Sequence, residues 1–169
     1  MTVVKKTLDR MLVETRWYKF CKNDLIIPKK IKSAHKNIWK RVLEDLGYKT
    51  FLLEELGSIT KNKTTSFVIG WAIENAILRG NKNNPEAPVL VNYYLGDYGI
   101  VAKVEDFGDG FDYNETQRRF LSGEGYALNN GAGFIGYNYD DVEVSFSGKG
   151  NIVNIMHKGK INLLTPSFL

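Results

Sequence analysis

Apolar residues recur at the three- and four-residue spacing of an α-helix in two stretches of the first half of the chain. The first stretch predicts a helix near the N-terminus with these residues on one face: Leu8, Met11, Leu12, Thr15 and Tyr18. The second predicts an amphipathic helix that ends before Gly47 and has these residues on its apolar face: Ile31, Ala34, Ile38, Val42 and Leu46. Between them, Leu25-Ile26-Ile27 before Pro28 predicts a short strand. A further helix is predicted at about residues 65–80, after a polar, turn-rich segment.

Two β-hairpins are predicted in the second half. Residues 89–95 and 100–105 are rich in strand-forming side chains and are joined by a Gly-Asp-Tyr-Gly turn. Residues 142–146 and 152–156 alternate apolar and polar side chains and are joined by a Gly-Lys-Gly-Asn turn. Between the hairpins, residues 113–130 are polar and hold two glycines, which predicts a long irregular connection. Such a connection in a compact domain is either disordered or functional, and a lid over a ligand is the commonest functional case.

The composition fits one globular domain. The chain has 169 residues, of which 43% are hydrophobic and 25% charged, enough to bury a core without disulfides or metals. Cys21 is the single cysteine, so no internal disulfide can form. No stretch of the sequence is apolar enough to predict a membrane span or a secretory signal, and we therefore expect a cytoplasmic protein.

The charge is unevenly distributed along the chain. The formal net charge is +4, but residues 1–41 carry +9 and the remaining residues carry −5. A basic N-terminal segment favours an anionic partner, such as an acidic protein, a nucleic acid or ATP, although a solvated helix face is the simpler explanation. The segment lacks the interleaved aromatic and basic residues of a nucleic-acid-binding module, so nucleic acid is the weakest of these partners.

The segment 106–111 (Asp-Phe-Gly-Asp-Gly-Phe) is the strongest candidate for a ligand site. Asp106 ends a predicted strand, and a carboxylate can accept a hydrogen bond from the exocyclic amine of adenine while rejecting guanine, which offers an acceptor there. The alternative is an Asp that caps a turn. Gly108 and Gly110 are expected to adopt positive φ angles and to let a ligand approach closely, with plain turn residues as the alternative.

Two polar residues on the predicted helix at 65–80 are also candidates. Asn75 lies on an otherwise apolar helical row, so its amide either bonds neighbouring backbone or directs its oxygen at a cation. Arg79 follows by one helical turn and lies on the same face, where it can reach a phosphate; a surface arginine is the alternative.

The order of these motifs resembles the GHKL group of ATP-binding domains, which have the Bergerat fold and include histidine kinases, gyrase-type ATPases and anti-sigma factor serine kinases. Asn75 is similar to the group's N box, segment 106–111 to its first glycine box, and segment 131–134 (Gly-Ala-Gly-Phe) to its second. The bacterial anti-sigma factor kinases are the most similar members. Their further motifs are matched in order by Gly80-Asn81, Asn84-Pro85, Asp109-Gly110-Phe111-Asp112, Asp140-Asp141-Val142, Gly150-Asn151-Ile152-Val153 and Lys158. The resemblance covers roughly residues 25–160, and it is carried by three short motifs in the right order rather than by any one of them.

The resemblance implies an α+β fold: a two-layer α/β sandwich with a mixed, mostly antiparallel sheet and helices on one face. It implies one ATP-binding domain over residues 1–169, with a helical extension at 1–24, the GHKL core at 25–160 and an ATP lid at 113–130. Relatives of the anti-sigma type commonly form dimers, so a homodimer is a further expectation.

The resemblance also implies ATP and Mg²⁺ as ligands. The implied binding residues are Asn75, Arg79, Asp106, Gly108, Gly110, Gly131, Gly133 and Asn151. Asn75 would hold the Mg²⁺ that bridges the phosphates, and Gly131 and Gly133 would present backbone N–H groups to the triphosphate. Asn151 stands where many relatives have a Thr beneath the adenine, and a hairpin-turn Asn is an equal alternative.

One position departs from the family pattern. Active relatives have a Glu four residues before the N-box Asn that acts as a general base, and here that position is Trp71, whose indole cannot accept a proton. Glu74 is adjacent to Asn75 but is rotated by about 100° around the helix. We therefore expect a regulatory ATP-binding protein with weak or absent catalysis that controls a protein partner resembling a sigma factor or its antagonist. An active serine/threonine kinase of the anti-sigma type and a basic nucleic-acid-binding module are the alternatives.

Overall fold

The computed structural model describes residues 6–25, 64–82, 84, 86–123 and 142–159. Within those ranges the elements are, in chain order, α1 Leu8–Thr15, β1 Trp17–Leu25, α2 Thr64–Asn75 continued by a π-helical turn Ala76–Gly80, β2 Val89–Gly96, β3 Gly99–Glu105, α3 Tyr113–Leu121, β4 Val142–Ser147 and β5 Ile152–Lys158. The predicted helix over residues 31–46 lies outside the described residues. No helix in the described part of the chain is both long enough and apolar enough to cross a bilayer.

The strands form one five-stranded sheet in the order β1-β2-β3-β5-β4. Gly96 pairs with Gly99 at the end of the β2–β3 hairpin, and Ser147 pairs with Ile152 at the end of the β4–β5 hairpin. Both predicted hairpins are confirmed, because glycine-containing turns and alternating side chains together fix the register. All four pairings between the described strands are antiparallel. The fold is therefore α+β, as expected. The expected mixed sheet also has a parallel component, and the described part of the chain has none.

The main core lies between α2 and one face of the sheet, which we call the front face. Alternate residues on neighbouring strands point to the same side, so the apolar positions of four strands meet the apolar helix there. Its buried members are Val68, Ile69, Ala72, Ile73, Ala76, Ile77, Val89, Val91, Tyr93, Leu95, Ile100, Ala102, Val104, Val142, Val144, Phe146 and Ile155. The helix predicted at about 65–80 is confirmed.

The opposite face of the sheet, the back face, carries α1. Met11 and Leu12 of α1 pack against Val101 of β3 and Met156 of β5, and all four residues are buried. Val101 alternates with the front-face residues Ile100 and Ala102, so α1 and α2 lie on opposite sides of the sheet. The expected sandwich with helices on one face is therefore wrong for this chain, because α1 also buries an apolar patch of the back face.

The N-terminal helix is shorter than expected. Arg16 adopts a left-handed conformation (φ 49°, ψ 53°) and its N–H points to the carbonyls of Leu12 and Val13, which ends α1 at Thr15. Residues 17–25 then form β1, which pairs with β2 along the edge of the sheet. The prediction that Tyr18 continues the helical face is wrong. Within the described residues 6–24 of the expected extension, the helix spans Leu8–Thr15, and the strand expected at Leu25 begins much earlier, at Trp17.

The connection between the hairpins begins with a helix. Asp112 Oδ1 accepts a hydrogen bond from the N–H of Glu115 (3.0 Å), which is the N-cap arrangement that starts α3. Tyr113 of α3 stacks on Phe146 of β4 with ring centroids 5.6 Å apart. The expectation of an irregular connection is therefore wrong for residues 113–121, and residues 124–130 lie outside the described part.

Four charged residues, which we call the ion-pair ring, connect the N-terminal helix α1 to strands β4 and β5. Lys158 of β5 contacts Glu14 (2.9 Å) and Glu143 of β4 (3.0 Å), and Lys6 contacts the same two carboxylates. Hydrogen bonds from Lys6 and then Lys158 lower the pKa of Glu14 to about 2. Partial burial opposes ionisation of Glu143, but hydrogen bonds from the same lysines hold its pKa below the ordinary value.

We expect this ion-pair ring to make the stability of the protein depend on acidity. A carboxylate with a lowered folded-state pKa stabilises the fold above its ordinary pKa of 4.5, and that contribution is lost as the pH falls from 4.5 towards about 2. Glu14→Gln should therefore lower the free energy of unfolding by about 1 kcal/mol at pH 7. The difference in the free energy of unfolding between the variant and wild type should vanish near pH 2. Urea unfolding across this pH range measures it.

Glu115→Gln is the matched control for this experiment, because among the described residues the ion pair of Glu115 is with Arg118 of its own helix. Its effect at pH 7 should be smaller than that of Glu14→Gln. A pH-independent difference between wild type and Glu14→Gln would show that the ring does not contribute.

Candidate functional site

The segment 106–111 leaves the end of β3 and is held at both ends by the β4–β5 turn. The N–H of Asp106 donates to the carbonyl of Asn151 (3.0 Å), and the N–H of Phe111 donates to the carbonyl of Lys149 (3.1 Å). The backbone of this segment, which we call the Asp106 loop, is thus fixed against a neighbouring hairpin rather than extended into solvent.

Asp106 is the partly buried carboxylate of this loop. Its Oδ1 accepts a hydrogen bond from the N–H of Gly108 (2.9 Å), and in the described part of the chain this is its only side-chain hydrogen bond. Burial raises the pKa of Asp106, while the Gly108 bond and the charge of Lys149 partly offset that rise. The second carboxylate oxygen therefore belongs to a partly buried side chain and has no donor in the described part of the chain, and a ligand that supplies a donor would stabilise it.

The end of α2 presses directly against this carboxylate. A Cβ at Gly80 would lie 2.2 Å from Cγ of Asp106, and a Cβ at Gly108 would lie 1.9 Å from the carbonyl oxygen of Gly80. Any larger residue at either position would have to displace the Asp106 loop. Sequence reasoning missed Gly80 as a site residue, although a glycine at the end of an apolar helical pattern was the available signal.

The two glycines of the Asp106 loop have different roles. Gly110 has the expected positive φ (78°), and its Cβ would lie 2.1 Å from the carbonyl oxygen of Lys149. Gly108 does not have the positive φ that the sequence suggested, and its small size admits the carbonyl of Gly80 instead. The close approaches seen at both glycines are to protein backbone, and the expected approach to a ligand stays a prediction.

Asn151 contacts the backbone of the same loop. Its Nδ2 donates to the carbonyl of Asp106 (2.8 Å), and its Oδ1 accepts from the N–H of Lys149 (3.3 Å). The side chain therefore holds the Asp106 backbone in place, as a turn Asn in the hairpin does. Its expected contact with adenine stays a prediction.

Of the four remaining candidate residues, the structure describes two, Asn75 and Arg79. Asn75 is the partly buried last residue of the α-helical part of α2, about one turn before Gly80, so it lies near the end of the helix that meets Asp106. Arg79 is exposed on the π-helical turn. Gly131 and Gly133 lie outside the described residues, so the convergence of all three motifs on one cavity stays a prediction.

Trp71, where the resemblance would place a general base, is partly buried on α2 one turn before Asn75. In the described part of the chain, no group of three or more His, Cys, Asp and Glu side chains is placed to hold a metal ion. Mg²⁺ commonly takes part of its oxygen ligands from the phosphates of a bound nucleotide.

Comparison with known proteins does not assign the chain to a family. No model of a known protein family matches it, and no curated protein is significantly similar to it. The function is therefore inferred from the residues around Asp106.

Proposed function

We propose that the protein binds Mg-ATP at the end of β3 and acts as a regulatory ATP-binding protein of the GHKL type. The observation that carries the proposal is Asp106: a partly buried carboxylate whose backbone is fixed and whose second oxygen lacks a described protein donor. The exocyclic amine of adenine is a donor of the right kind, whereas guanine has a carbonyl at that position and would meet the carboxylate with a second acceptor.

The arrangement of elements supports this proposal. The C-terminal ends of α2 and β3 meet at Gly80 and Asp106, so the helix that carries Asn75 also forms one wall beside the carboxylate. Asn75 would supply one oxygen to Mg²⁺, with phosphate oxygens and water completing the shell. Gly131 and Gly133 would bind the triphosphate through backbone N–H groups, and the segment 113–130, which begins with α3, would close over it.

The proposed role is regulation with weak or absent catalysis. Phosphoryl transfer depends mainly on positioning and charge stabilisation, so it can continue slowly without a base. A missing general base typically costs about 10²- to 10⁴-fold in rate. Trp71 occupies the position that carries the base in active relatives, and this favours nucleotide binding as a signal over rapid turnover.

A protein partner, such as a sigma factor or its antagonist, fits the described surface better than a nucleic acid. The basic N-terminal segment is partly neutralised where it is described, because Lys6 and Arg10 both pair with Glu14. A nucleic-acid site needs cations available to phosphates, and each paired lysine or arginine weakens such a site. Cytoplasmic localisation and a homodimer belong to the same proposal.

Isothermal titration calorimetry tests the proposal. Mg-ATP should bind the full chain measurably, and Mg-GTP should bind at least about tenfold more weakly, because guanine would leave the Asp106 carboxylate facing an acceptor. Removal of Mg²⁺ should weaken ATP binding. Absence of ATP binding would overturn the proposal, and rapid transfer of the γ-phosphate to a partner protein would favour the active-kinase alternative.

Trp71→Glu should increase ATP hydrolysis severalfold, because it restores a carboxylate one turn before Asn75. The gain should fall well short of the full contribution of an evolved base, about 10²- to 10⁴-fold, because the surrounding residues are adapted to an indole. Release of phosphate under saturating Mg-ATP measures it. Trp71→Gln is the control of matched shape, and an equal gain in both variants would contradict a role for the base.

A further inference from the structure

Asn81 is a buried polar residue that connects three segments around the candidate site. Its side chain is only 6% exposed. Its Oδ1 accepts from the N–H of Phe107 (2.9 Å), and its Nδ2 donates to the carbonyls of Ala87 (3.2 Å) and Pro88 (2.9 Å). Three hydrogen bonds from one buried amide restrain the end of α2, the start of β2 and the Asp106 loop together.

The π-helical turn places Asn81 for these contacts. The N–H of Asn81 bonds to the carbonyl of Ala76 (2.8 Å), five residues back rather than the four of an α-helix. The last turn therefore contains one extra residue. That residue allows Gly80 to face the Asp106 carboxylate while the next position, Asn81, reaches Phe107. Single π-turns of this kind occur often at functional sites.

Asn81 and Asn151 bind the two polar groups of one peptide unit. The carbonyl of Asp106 and the N–H of Phe107 belong to the same planar group. Asn151 donates to the carbonyl (2.8 Å), and Asn81 accepts from the N–H (2.9 Å). We call these two side chains the amide clamp. The N–H of Asp106 also donates a hydrogen bond to the carbonyl of Asn151. The backbone on both sides of the Asp106 side chain is therefore held.

We propose that Asn81 is a positioning residue of the adenine site: through the amide clamp it fixes the direction of the Asp106 carboxylate and so sets the preference for a purine with a 6-amino group. The inference rests on the proposed ATP-binding function and adds to it the residue that determines purine selectivity. A carboxylate held in place before binding loses less conformational freedom when the ligand arrives. Without the clamp, the same carboxylate can turn towards water.

The experiment compares the affinities of the full chain for ATP and for inosine triphosphate, which carries a carbonyl in place of the 6-amino group. Asn81→Ala should weaken ATP binding about tenfold and leave inosine triphosphate within twofold, so that selectivity collapses. Like Asn81→Ala, Asn81→Asp loses the hydrogen bonds donated to the carbonyls of Ala87 and Pro88, and it should lose stability. It keeps an acceptor for the N–H of Phe107, so it should retain most of the selectivity for ATP. If Asn81→Ala does not fold, Asn151→Ala removes the clamp from its other side and is measured in the same way.

Asn84→Ala is the matched control. Asn84 is an exposed asparagine in the same connection, and among the described residues its side chain bonds only to the N–H of Glu86 (3.0 Å). This variant should bind both nucleotides as wild type does. Equal weakening of ATP and inosine triphosphate by Asn81→Ala, or no weakening of either, would overturn the inference while leaving wild-type ATP binding, and hence the proposed function, intact.

A ligand-free measurement separates the two proposals. NMR titration of the Asp106 carboxyl carbon should show a raised pKa in wild type, because the side chain is partly buried. The pKa should be closer to the ordinary value in Asn81→Ala, because the released carboxylate is better hydrated. If wild type binds no ATP, the proposed function and the selectivity role both fail, and this titration alone decides whether Asn81 positions Asp106. An unchanged pKa in Asn81→Ala would overturn the positioning role itself.

Discussion

Replacement of Asp106 by Asn is expected to weaken the binding of Mg-ATP by about 10- to 100-fold, the equivalent of one hydrogen bond to a charged group. The amide keeps nearly the shape of the carboxylate but has only one acceptor oxygen and adds a donor. If the oxygen keeps the bond from the N–H of Gly108, the new NH₂ group faces the adenine amine, and two donors meet. Calorimetry or fluorescent-nucleotide competition measures the change.

Asp109→Asn is the control for this variant. Asp109 lies in the same loop, but its side chain is 82% exposed and pairs with Lys82 at 2.6 Å on the surface. Exposed pairs of this kind contribute little, so ATP affinity should stay within twofold of wild type. Equal ATP affinity in wild type and both variants would mean that the nucleotide does not contact Asp106.

Replacement of Gly110 by Ala is expected to destabilise the fold and to weaken ATP binding together. Gly110 has a φ of 78°, and an added Cβ would lie 2.1 Å from the carbonyl oxygen of Lys149. That contact is far too short, so the Asp106 loop would have to move away from the β4–β5 turn and lose the hydrogen bond from Phe111 to Lys149. Urea unfolding and nucleotide titration measure the two effects.

Gly123→Ala separates this contact from backbone strain. Gly123 also has a positive φ, 70°, but an added Cβ there meets no atom of the described residues beyond its chain neighbours within 4 Å. Both variants therefore carry the cost of an L-residue in a left-handed conformation, and only Gly110→Ala carries the cost of the clash. The loss of stability should be larger in Gly110→Ala by about 1–3 kcal/mol. Equal losses in the two variants would argue against the docking of the loop on the turn.

The hairpins could be predicted because their determinants are local. In the β2–β3 hairpin, Gly96 and Gly99 flank a two-residue turn, and the alternation on either side fixes which residues face the core. The β4–β5 hairpin was predicted from the same two features, a glycine-containing turn and alternating side chains on either side of it. The helix at about 65–80 was also predicted, as the segment that follows the polar, turn-rich residues before it.

The errors occurred where distant parts of the chain compete with local preference. Tyr18 continues the helical spacing of Leu8 and Met11, yet the edge of β2 accepts residues 17–25 as a strand and the helix ends at Thr15. Spacing also shows that α1 has an apolar face but not which side of the sheet receives it. In the folded protein α1 lies on the back face, where Met11 and Leu12 bury the apolar side chains of Val101 and Met156.

The sequence by itself determined the chemistry available at the site: an acceptor-only carboxylate at the end of a strand, glycines after it, and an asparagine on an apolar helix. Only the tertiary structure decided how that carboxylate is held. The contacts that fix Asp106 come from Asn81, which is 26 residues from its partner Phe107, and from Asn151, which is 45 residues from Asp106. Hydrogen bonds over such separations form only after α2 and the β4–β5 hairpin have packed on the sheet, so no local pattern of residues contains them.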